Sequence, residues 1–279
     1  MALTVGALTG QSALATGGAD VRHRAGIGWL MADLAYNDCG SGSPVVFLHG
    51  ITASKTMWNP IVSLMEGDHR CISIDLPGHG DSPDGPYDAI GQAAAVRSVV
   101  EELALENPLV IGHSLGGLTG TVYAALYTAR AVVNIDQPLH LGSFAAMLGP
   151  DPERFRDERF TEAFDEFAAQ LGIDQVPEPR RTALLADIHP RQEVVVALWA
   201  DILDGNADSV QPLLDAALVT IACPYLAIYG SQLTGAARAA VDQIPNVTVE
   251  VWDGLGHLLH FVDPVRFVQR VADFEETLP

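Results

Sequence analysis

Short runs of apolar and often β-branched residues recur along the chain, and most are separated by segments with helical periodicity. Runs of this length with several successive apolar positions are typical of strands buried on both faces, as in a parallel sheet. The pattern predicts six strands at Pro44–Leu48, Cys71–Ile74, Leu109–Ile111, Ala131–Ile135, Tyr225–Tyr229 and Val247–Trp252.

Helical patterns fill most of the intervals between these runs. They predict helices over residues 88–104, 115–129, 234–243 and 259–277. Strands alternating with helices predict an α/β protein with right-handed crossovers and a mostly parallel central sheet flanked by helices on both faces. Residues 26–37 are predicted to form an antiparallel lead-in hairpin.

The alternation stops between residues 138 and 212, where the pattern is helical and aromatic residues are frequent. We interpret this segment as a helical cap inserted at the carboxyl ends of the strands, because a structureless loop of this length would be unusual. Ordinary surface helices are the alternative. The predicted organisation is a flexible tail over 1–20, a core over 21–137 and 213–279, and a cap over 138–212.

The chain is strongly acidic, with 35 Asp and Glu against 15 Lys and Arg and a net charge of −20. An acidic surface repels the phosphates of nucleic acids and of anionic membranes. No apolar run reaches the length of a membrane span. We therefore expect a small-molecule substrate, no nucleic-acid partner, and a monomer or homodimer.

The three cysteines lack metal-ligand spacing, and their odd number gives no disulfide framework. This favours a reducing, cytoplasmic location. Residues 1–20 contain no Lys or Arg and are interrupted by glycines, unlike a signal peptide, although an atypical export signal is the alternative to a tail. Metal motifs and a dinucleotide fingerprint are absent from the sequence, so no metal site or cofactor is expected.

Gly112-His113-Ser114-Leu115-Gly116 matches the pattern G-x-S-x-G between a predicted strand and a predicted helix. In this context the serine occupies a sharp turn that exposes its hydroxyl, and the helix N-terminus favours a developing oxyanion. A glycine-rich turn with an incidental serine is the alternative. The context indicates that Ser114 is a nucleophile.

With this motif, the chain resembles the α/β-hydrolase superfamily from about residue 25 to residue 277. Three further segments carry the resemblance to its oxyanion loop, its D-x-P-G-x-G-x-S loop and its catalytic histidine loop: Leu48-His49-Gly50-Ile51, residues 75–82, and Gly254-Leu255-Gly256-His257 followed by Asp263-Pro264. The resemblance implies the α/β-hydrolase fold, with His257 as the catalytic base. A loop histidine bonded to the backbone is the alternative for His257.

The resemblance also implies an oxyanion hole formed by the backbone N–H groups of Ile51 and Leu115. Residues near these loops are expected to contact the substrate. The predicted substrate-binding residues are His49, Gly50, Trp58, His113 and His140.

The acid of the catalytic triad departs from the usual family pattern. The family places it after the strand that ends at Tyr229, as G-x-x-D, where this chain has Leu233 in place of the acid. Asp136, which follows the preceding strand, is the predicted acid, because some members of the superfamily carry theirs at that position. A structural role for Asp136, another loop carboxylate or a dyad without an acid are the alternatives.

These residues predict a serine hydrolase that cleaves a carboxylic ester or lactone of a hydrophobic, medium-sized substrate through an acyl-enzyme intermediate. A carbon–carbon bond hydrolase is a close variant. A cofactor-independent dioxygenase of the same fold would instead use the pair formed by His257 and Asp136 as a base, with Ser114 only binding the substrate. A non-enzymatic ligand-binding member is the third alternative, against which an apparently complete triad argues.

Overall fold

The computed structural model describes residues 33–279, and seven strands in that range form one central sheet. The strands are β1 (Tyr36–Gly40), β2 (Ser43–Leu48), β3 (His69–Ile74), β4 (Leu109–His113), β5 (Ala131–Ile135), β6 (Tyr225–Tyr229) and β7 (Val247–Val251). The predicted tail over 1–20 and most of the predicted hairpin over 26–37 lie outside the described residues. The last two hairpin positions belong to β1.

The strand order is β1-β3-β2-β4-β5-β6-β7. Strand β1 pairs with β3 in antiparallel orientation, and the other neighbours are parallel. All six strands predicted from apolar runs are present, and the mostly parallel sheet is confirmed. Because parallel strands run in one direction, the loops after β2, β4, β5, β6 and β7 meet at the same edge of the sheet.

Helices surround the sheet within the described range. They are α1 (Asn59–Met65), α2 (Ala89–Glu102), α3 (Leu115–Leu126), α4 (Leu141–Met147), α5 (Phe160–Ala169), α6 (Arg180–Asp187), α7 (Gln192–Leu198), α8 (Ala200–Leu203), α9 (Ala207–Leu218), α10 (Gly235–Val241), α11 (Leu259–Val262) and α12 (Pro264–Glu275). Short 3-10 helices occur at Lys55–Trp58, Pro152–Phe155 and Ile173–Gln175. Across residues 33–279, no helix has both the length and the apolar character needed to cross a bilayer.

The segment 259–277, predicted as one helix, is divided between α11 and α12. Pro264 is the first residue of α12, a position that needs no backbone N–H. The Asp263 carboxylate caps α12 by accepting a hydrogen bond from the N–H of Arg266 at 3.1 Å. A proline therefore starts a new helix where the apolar pattern alone appeared continuous.

The two faces of the sheet bury separate hydrophobic clusters, as β2 illustrates. Val45 and Phe47 pack with apolar residues of α1 and α12. Val46 and Leu48 pack on the opposite face with apolar residues of α2 and α3. Successive side chains of a strand point to opposite faces, so a strand covered on both sides must be apolar throughout. This two-sided packing holds the carboxyl ends of the strands in place.

The connection between β5 and β6, residues 136–224, is a helical insertion that contains α4 to α9 and two of the 3-10 helices. Helix α9 continues to Leu218, beyond the predicted end of the helical segment at residue 212. The insertion has a hydrophobic cluster of its own, in which Trp199 contacts aromatic side chains at ring-centre distances of 5.1 to 6.4 Å. Its fully or partly buried aromatic residues are Phe144, Phe155, Phe160, Phe164, Phe167 and Trp199.

Candidate active site

Ser114 lies in the turn between β4 and α3 with a left-handed backbone, φ 51° and ψ −121°. Its N–H donates to the carbonyl oxygen of Ile135 at 3.0 Å. A Cβ atom on Gly112 would lie 2.1 Å from the carbonyl oxygen of Gly116, and one on Gly116 would lie 2.1 Å from that of Leu48. Only glycines therefore permit the close packing that places Ser114 at the carboxyl edge of the sheet.

Asp136 follows β5 and is also in a left-handed conformation, with φ 51°. Its Oδ2 atom lies 2.7 Å from Nδ1 of His257, and its Oδ1 atom accepts a hydrogen bond from the N–H of Gly230 at 2.8 Å. The two side chains of the pair are each about 15% exposed. When Nδ1–H of His257 donates to this carboxylate, Nε2 keeps a lone pair and can accept a proton.

Gly230 makes this pairing possible. His257 follows β7, which is separated from β5 by β6, so its loop must cross the end of β6 to reach Asp136. The N–H of Gly256 donates to the carbonyl oxygen of Gly230 at 3.2 Å. A Cβ atom on Gly230 would lie 1.8 Å from the carbonyl oxygen of Gly256. Any side chain at Gly230 would therefore displace the histidine loop.

Leu233 and Asp253 both lie away from this contact. Leu233, at the usual family position, packs against the hydrophobic cluster formed around β6 and α10. Asp253, in the loop that leads to the histidine, is exposed. The structure thus brings Asp136 and His257 together across 121 residues of sequence.

Ser114 and His257 line one cavity, which has a volume of about 580 Å³ including its open mouth. Its lining is almost entirely apolar, and among the described residues it includes no Lys, Arg, Asp or Glu. The insertion contributes Phe164, Phe167, Ala168, Leu171, Ile173, Leu184 and Ile188. Ser114 and His257 are both among the described residues, and no hydrogen bond joins the Ser114 hydroxyl to the His257 ring. In serine hydrolases this contact often forms only when substrate binds.

The two predicted oxyanion donors lie on neighbouring elements. Ile51 lines the cavity in the loop after β2. Leu115 is the first residue of α3, where an N–H group has no partner inside the helix. The close contact of Gly116 with the carbonyls of Leu48 and His49 packs the start of α3 against the loop after β2. This packing is compatible with a shared oxyanion site.

Comparison with known proteins places this geometry in a family. The model of the alpha/beta hydrolase family matches residues 45–270. The chain belongs to the α/β-hydrolase family. It is 28% identical over 258 residues to 2-(acetamidomethylene)succinate hydrolase of Mesorhizobium japonicum, covering 84% of this chain and 88% of that protein. It is 29% identical over 243 residues to 2-succinyl-6-hydroxy-2,4-cyclohexadiene-1-carboxylate synthase of Salmonella typhimurium, covering 83% and 93%.

Solved structures of other α/β hydrolases share the fold. Esterase RhEst1 from Rhodococcus sp. matches with a TM-score of 0.71 and 25% identity, covering 89% of this chain and 96% of that one. The crystal structure of E-2-(acetamidomethylene)succinate hydrolase matches with a TM-score of 0.68 and 21% identity, covering 89% and 97%. The predicted family and fold are confirmed, and the protein is an enzyme of the hydrolase type.

Two of the predicted substrate-binding residues of this hydrolase, Gly50 and His113, line the cavity. His49 is not part of the described lining. It is fully buried, with Nδ1 2.7 Å from the carbonyl oxygen of Gly50 and Nε2 accepting the N–H of Leu76 at 2.9 Å. The buried ring of His49 therefore connects the loop after β2 to the loop after β3 instead of facing the cavity.

Trp58 and His140 are also absent from the described lining of the cavity. Trp58 is fully buried, with its ring 5.2 Å from that of Phe47 and 5.3 Å from that of His260. His140 caps α4, where its Nδ1 accepts the N–H of Ser143 at 3.0 Å. Packing in the core turns the side chain of Trp58 away from the cavity, and capping of α4 does the same for His140.

His260, which was not selected from the sequence, completes a row of three histidines. The ring of His113 lies 4.5 Å from that of His257 and 4.6 Å from that of His260. Nε2 of His113 lies 3.0 Å from the carbonyl oxygen of His257. Burial lowers the pKa of His113 and His260 well below the usual value, so both are neutral at pH 7. The position of His260 three residues after His257 was the feature of the sequence that could have indicated this cluster.

Proposed function

We propose that this α/β hydrolase cleaves carboxylic esters or lactones of an uncharged, hydrophobic, medium-sized substrate through an acyl-enzyme intermediate on Ser114. The observation that carries the proposal is the 2.7 Å contact between Nδ1 of His257 and Oδ2 of Asp136. His257 and Ser114 line the same apolar cavity. The strained backbone of Ser114 supports the same role, because strain of this kind is concentrated at functional sites.

In the proposed reaction, Nε2 of His257 removes the hydroxyl proton as Oγ of Ser114 attacks the carbonyl carbon. The N–H groups of Ile51 and Leu115 stabilise the negative oxygen of the tetrahedral intermediate. The imidazolium then protonates the leaving alcohol, and the acyl group stays on Ser114. A water, deprotonated by His257, attacks the acyl-enzyme and releases the carboxylic acid. Asp136 stabilises the imidazolium in both halves of the reaction.

The helical insertion acts in this proposal as the cap that supplies the apolar part of the binding site. The relative from Mesorhizobium acts, by its name, on a succinate, which is a dicarboxylate. A bound dicarboxylate needs cationic partners, and the described lining has no Lys or Arg. Lys55, the single lysine of the sequence, is bonded to Asp75 and Asp81. An uncharged substrate fits this cavity better.

A cofactor-independent dioxygenase is the second candidate, because the position of Asp136 after β5 also provides a base for that chemistry. Ser114 would then bind the substrate without becoming acylated. A carbon–carbon bond hydrolase would use the same three residues on a different substrate. Oxygen uptake without added metal or flavin distinguishes the dioxygenase from both hydrolases.

The deciding experiment is mass spectrometry after treatment with a fluorophosphonate probe, together with hydrolysis of p-nitrophenyl butyrate. We expect stoichiometric labelling at Ser114, and neither labelling nor turnover in Ser114→Ala. Asp136→Asn should reduce kcat by about 10³- to 10⁴-fold, because the imidazole loses the partner that orients it. Asp253→Asn, which removes an exposed carboxylate from the loop that leads to His257, is the matched control and should behave like the native protein.

A folded native protein that neither reacts with the probe nor turns over the ester would refute the acyl-enzyme proposal. Substantial labelling of Asp136→Asn at the native rate would refute the role of Asp136 and leave Ser114 and His257 as a dyad.

A further inference from the structure

The C-terminal end of α6 is hydrogen-bonded to residues 52–56, which follow the oxyanion loop. The carboxylate of Asp187 accepts the N–H of Ser54 at 2.9 Å, the hydroxyl of Ser54 at 2.6 Å, and the hydroxyl of Thr56. Two residues further along, the N–H of His189 donates to the carbonyl oxygen of Thr52 at 2.8 Å. Four hydrogen bonds thus connect the helical insertion to residues 52–56, and we refer to them as the Asp187 clasp.

The clasp holds a strained part of the chain. Thr52 is buried and left-handed, with φ 67°, and it directly follows Ile51, the proposed oxyanion donor. A β-branched residue persists in this conformation only when its surroundings hold it there. On the core side, the N–H of Lys55 donates to Asp75 at 2.5 Å. The segment is therefore held between one carboxylate of the core and one of the insertion.

Stabilisation of α6 does not explain why residue 187 is an aspartate. Asp187 is the last residue of α6, where the helix dipole places partial negative charge and disfavours a carboxylate. The three donors from the facing loop account for the choice, because they stabilise the same negative charge.

The insertion also contacts the histidine loop. The side-chain amide of Gln175 is oriented so that its oxygen and its nitrogen both have suitable hydrogen-bond partners. In this orientation its nitrogen donates to the carbonyl oxygens of Gly254 at 2.8 Å and Leu255 at 3.2 Å. Arg180, the first residue of α6, donates to the carbonyl oxygens of Phe261 at 3.0 Å and Val262 at 3.3 Å in α11, the helix that follows the histidine loop. The short stretch from residue 175 to 189 therefore contacts both loops on which the proposed reaction depends.

We propose that Asp187 is a positioning residue that holds the oxyanion loop in its catalytic conformation, so that the helical insertion completes the oxyanion hole. The inference rests on the proposed ester hydrolysis. Asp187 is not part of the described cavity lining, and it acts through Ser54 and Thr52 on the N–H of Ile51. Loss of the clasp should weaken stabilisation of the tetrahedral intermediate more than it weakens substrate binding.

The test compares Asp187→Ala, Asp187→Asn and the native protein by hydrogen exchange of the peptide spanning residues 50–57 and by hydrolysis of p-nitrophenyl butyrate. In Asp187→Ala we expect about tenfold faster exchange in that peptide and a fall in kcat of about 10- to 100-fold, with KM changed less than about twofold. Asp187→Asn keeps one acceptor oxygen and should restore part of both losses. Asp201→Asn, an exposed change in α8 of the same insertion, should alter neither.

Native kcat in Asp187→Ala would overturn the inference, whatever its exchange behaviour, and so would a rise in KM at constant kcat. Should Asp187→Ala fail to fold, the double variant Ser54→Ala/Thr56→Ala removes both hydroxyl contacts from the loop side and must give the same selective fall in kcat. The exchange measurement separates this inference from the proposed function. Faster exchange confined to residues 50–57 in a chain without esterase activity would support the clasp and reject the reaction.

Discussion

At the scale of single residues, two strained backbone positions lie at the site. Ser114 and Asp136 are non-glycine residues with φ 51°, and they follow the adjacent strands β4 and β5. Each such conformation costs on the order of 1–3 kcal/mol, which surrounding packing must offset. Here the N–H of Ser114 bonds to Ile135, and the N–H of Asp136 bonds to Ile228 at 2.8 Å. Backbone contacts between strands thus hold both side chains where the proposed chemistry needs them.

Gly230→Ala tests the dependence of the histidine loop on one missing side chain. The new Cβ atom would lie 1.8 Å from the carbonyl oxygen of Gly256, so the loop must shift and the contact between His257 and Asp136 must lengthen. A misplacement of about 1 Å can cost about 10²-fold in rate, and we expect a fall in kcat of that size. Gly235→Ala, where a Cβ atom meets no other atom within 4 Å, should leave kcat unchanged.

Ester hydrolysis and circular dichroism of both variants provide the measurement. Equal kcat values for Gly230→Ala and Gly235→Ala would show that the loop reaches Asp136 without the close approach.

At the scale of elements, α5 has two roles on one apolar face. Phe160, Phe164 and Phe167 are all buried in the hydrophobic cluster of the insertion. Phe164 and Phe167 also line the cavity, whereas Phe160 is absent from its described lining. The packing that stabilises the insertion therefore also sets the shape of the binding site.

Phe167→Ala should separate these two roles. Removing a buried phenyl ring costs about 3–5 kcal/mol of stability. It should also enlarge the cavity and shift the preference among p-nitrophenyl esters towards longer acyl chains. Phe160→Ala should cost a comparable free energy of unfolding without changing the chain-length preference. Identical preferences in the two variants would argue against α5 as part of the acyl-binding surface.

At the scale of the whole molecule, neutral buried histidines link the candidate site to stability. His49, His113 and His260 are at most 3% exposed. Burial lowers the pKa of each of them well below the ordinary value of 6.5. His49 lies in the loop after β2, and His113 and His260 lie beside His257, so protonating them would disturb the candidate site as well as the core.

We predict that stability falls as the pH drops below about 6.5. With lowered pKa values in the folded state, the unfolded chain takes up protons first, so the stabilisation is complete above the unfolded pKa and is lost as the pH falls towards the folded values. Each such imidazole contributes a slope of about 1.4 kcal/mol per pH unit in that window. Urea unfolding at pH 7.5, 6.5 and 5.5 measures the slope.

His260→Phe should make that slope shallower by the contribution of one imidazole, since the ring remains among aromatic neighbours but no longer titrates. His189→Gln removes an exposed imidazole and is the control. An unchanged slope in His260→Phe would mean that this histidine does not contribute to acid instability.

Local patterns in the sequence were enough to predict much of this protein. The interior parallel strands were predictable because a strand covered on both faces must be apolar at successive positions, whereas the edge strand β7 alternates apolar and polar residues. The turn at Ser114 was predictable because glycines at positions 112 and 116 are required by the packing there. Asp136 and His257 were selected by resemblance and by the vacant acid position at Leu233, and the structure brings them together. Their catalytic roles remain predictions.

Contacts between distant segments depended on the tertiary structure. The sequence placed His49, Trp58 and His140 near the site. It did not give the direction of their side chains, because the packing of neighbouring elements decides that direction. Nothing local distinguishes Asp187 from other acidic residues, since its partner Ser54 lies 133 residues away. The sequence by itself therefore determined the sheet, the turn at Ser114 and the family, because these depend on local pattern. The tertiary structure decided which loops meet at the sheet edge, because that depends on how the strands and the insertion pack.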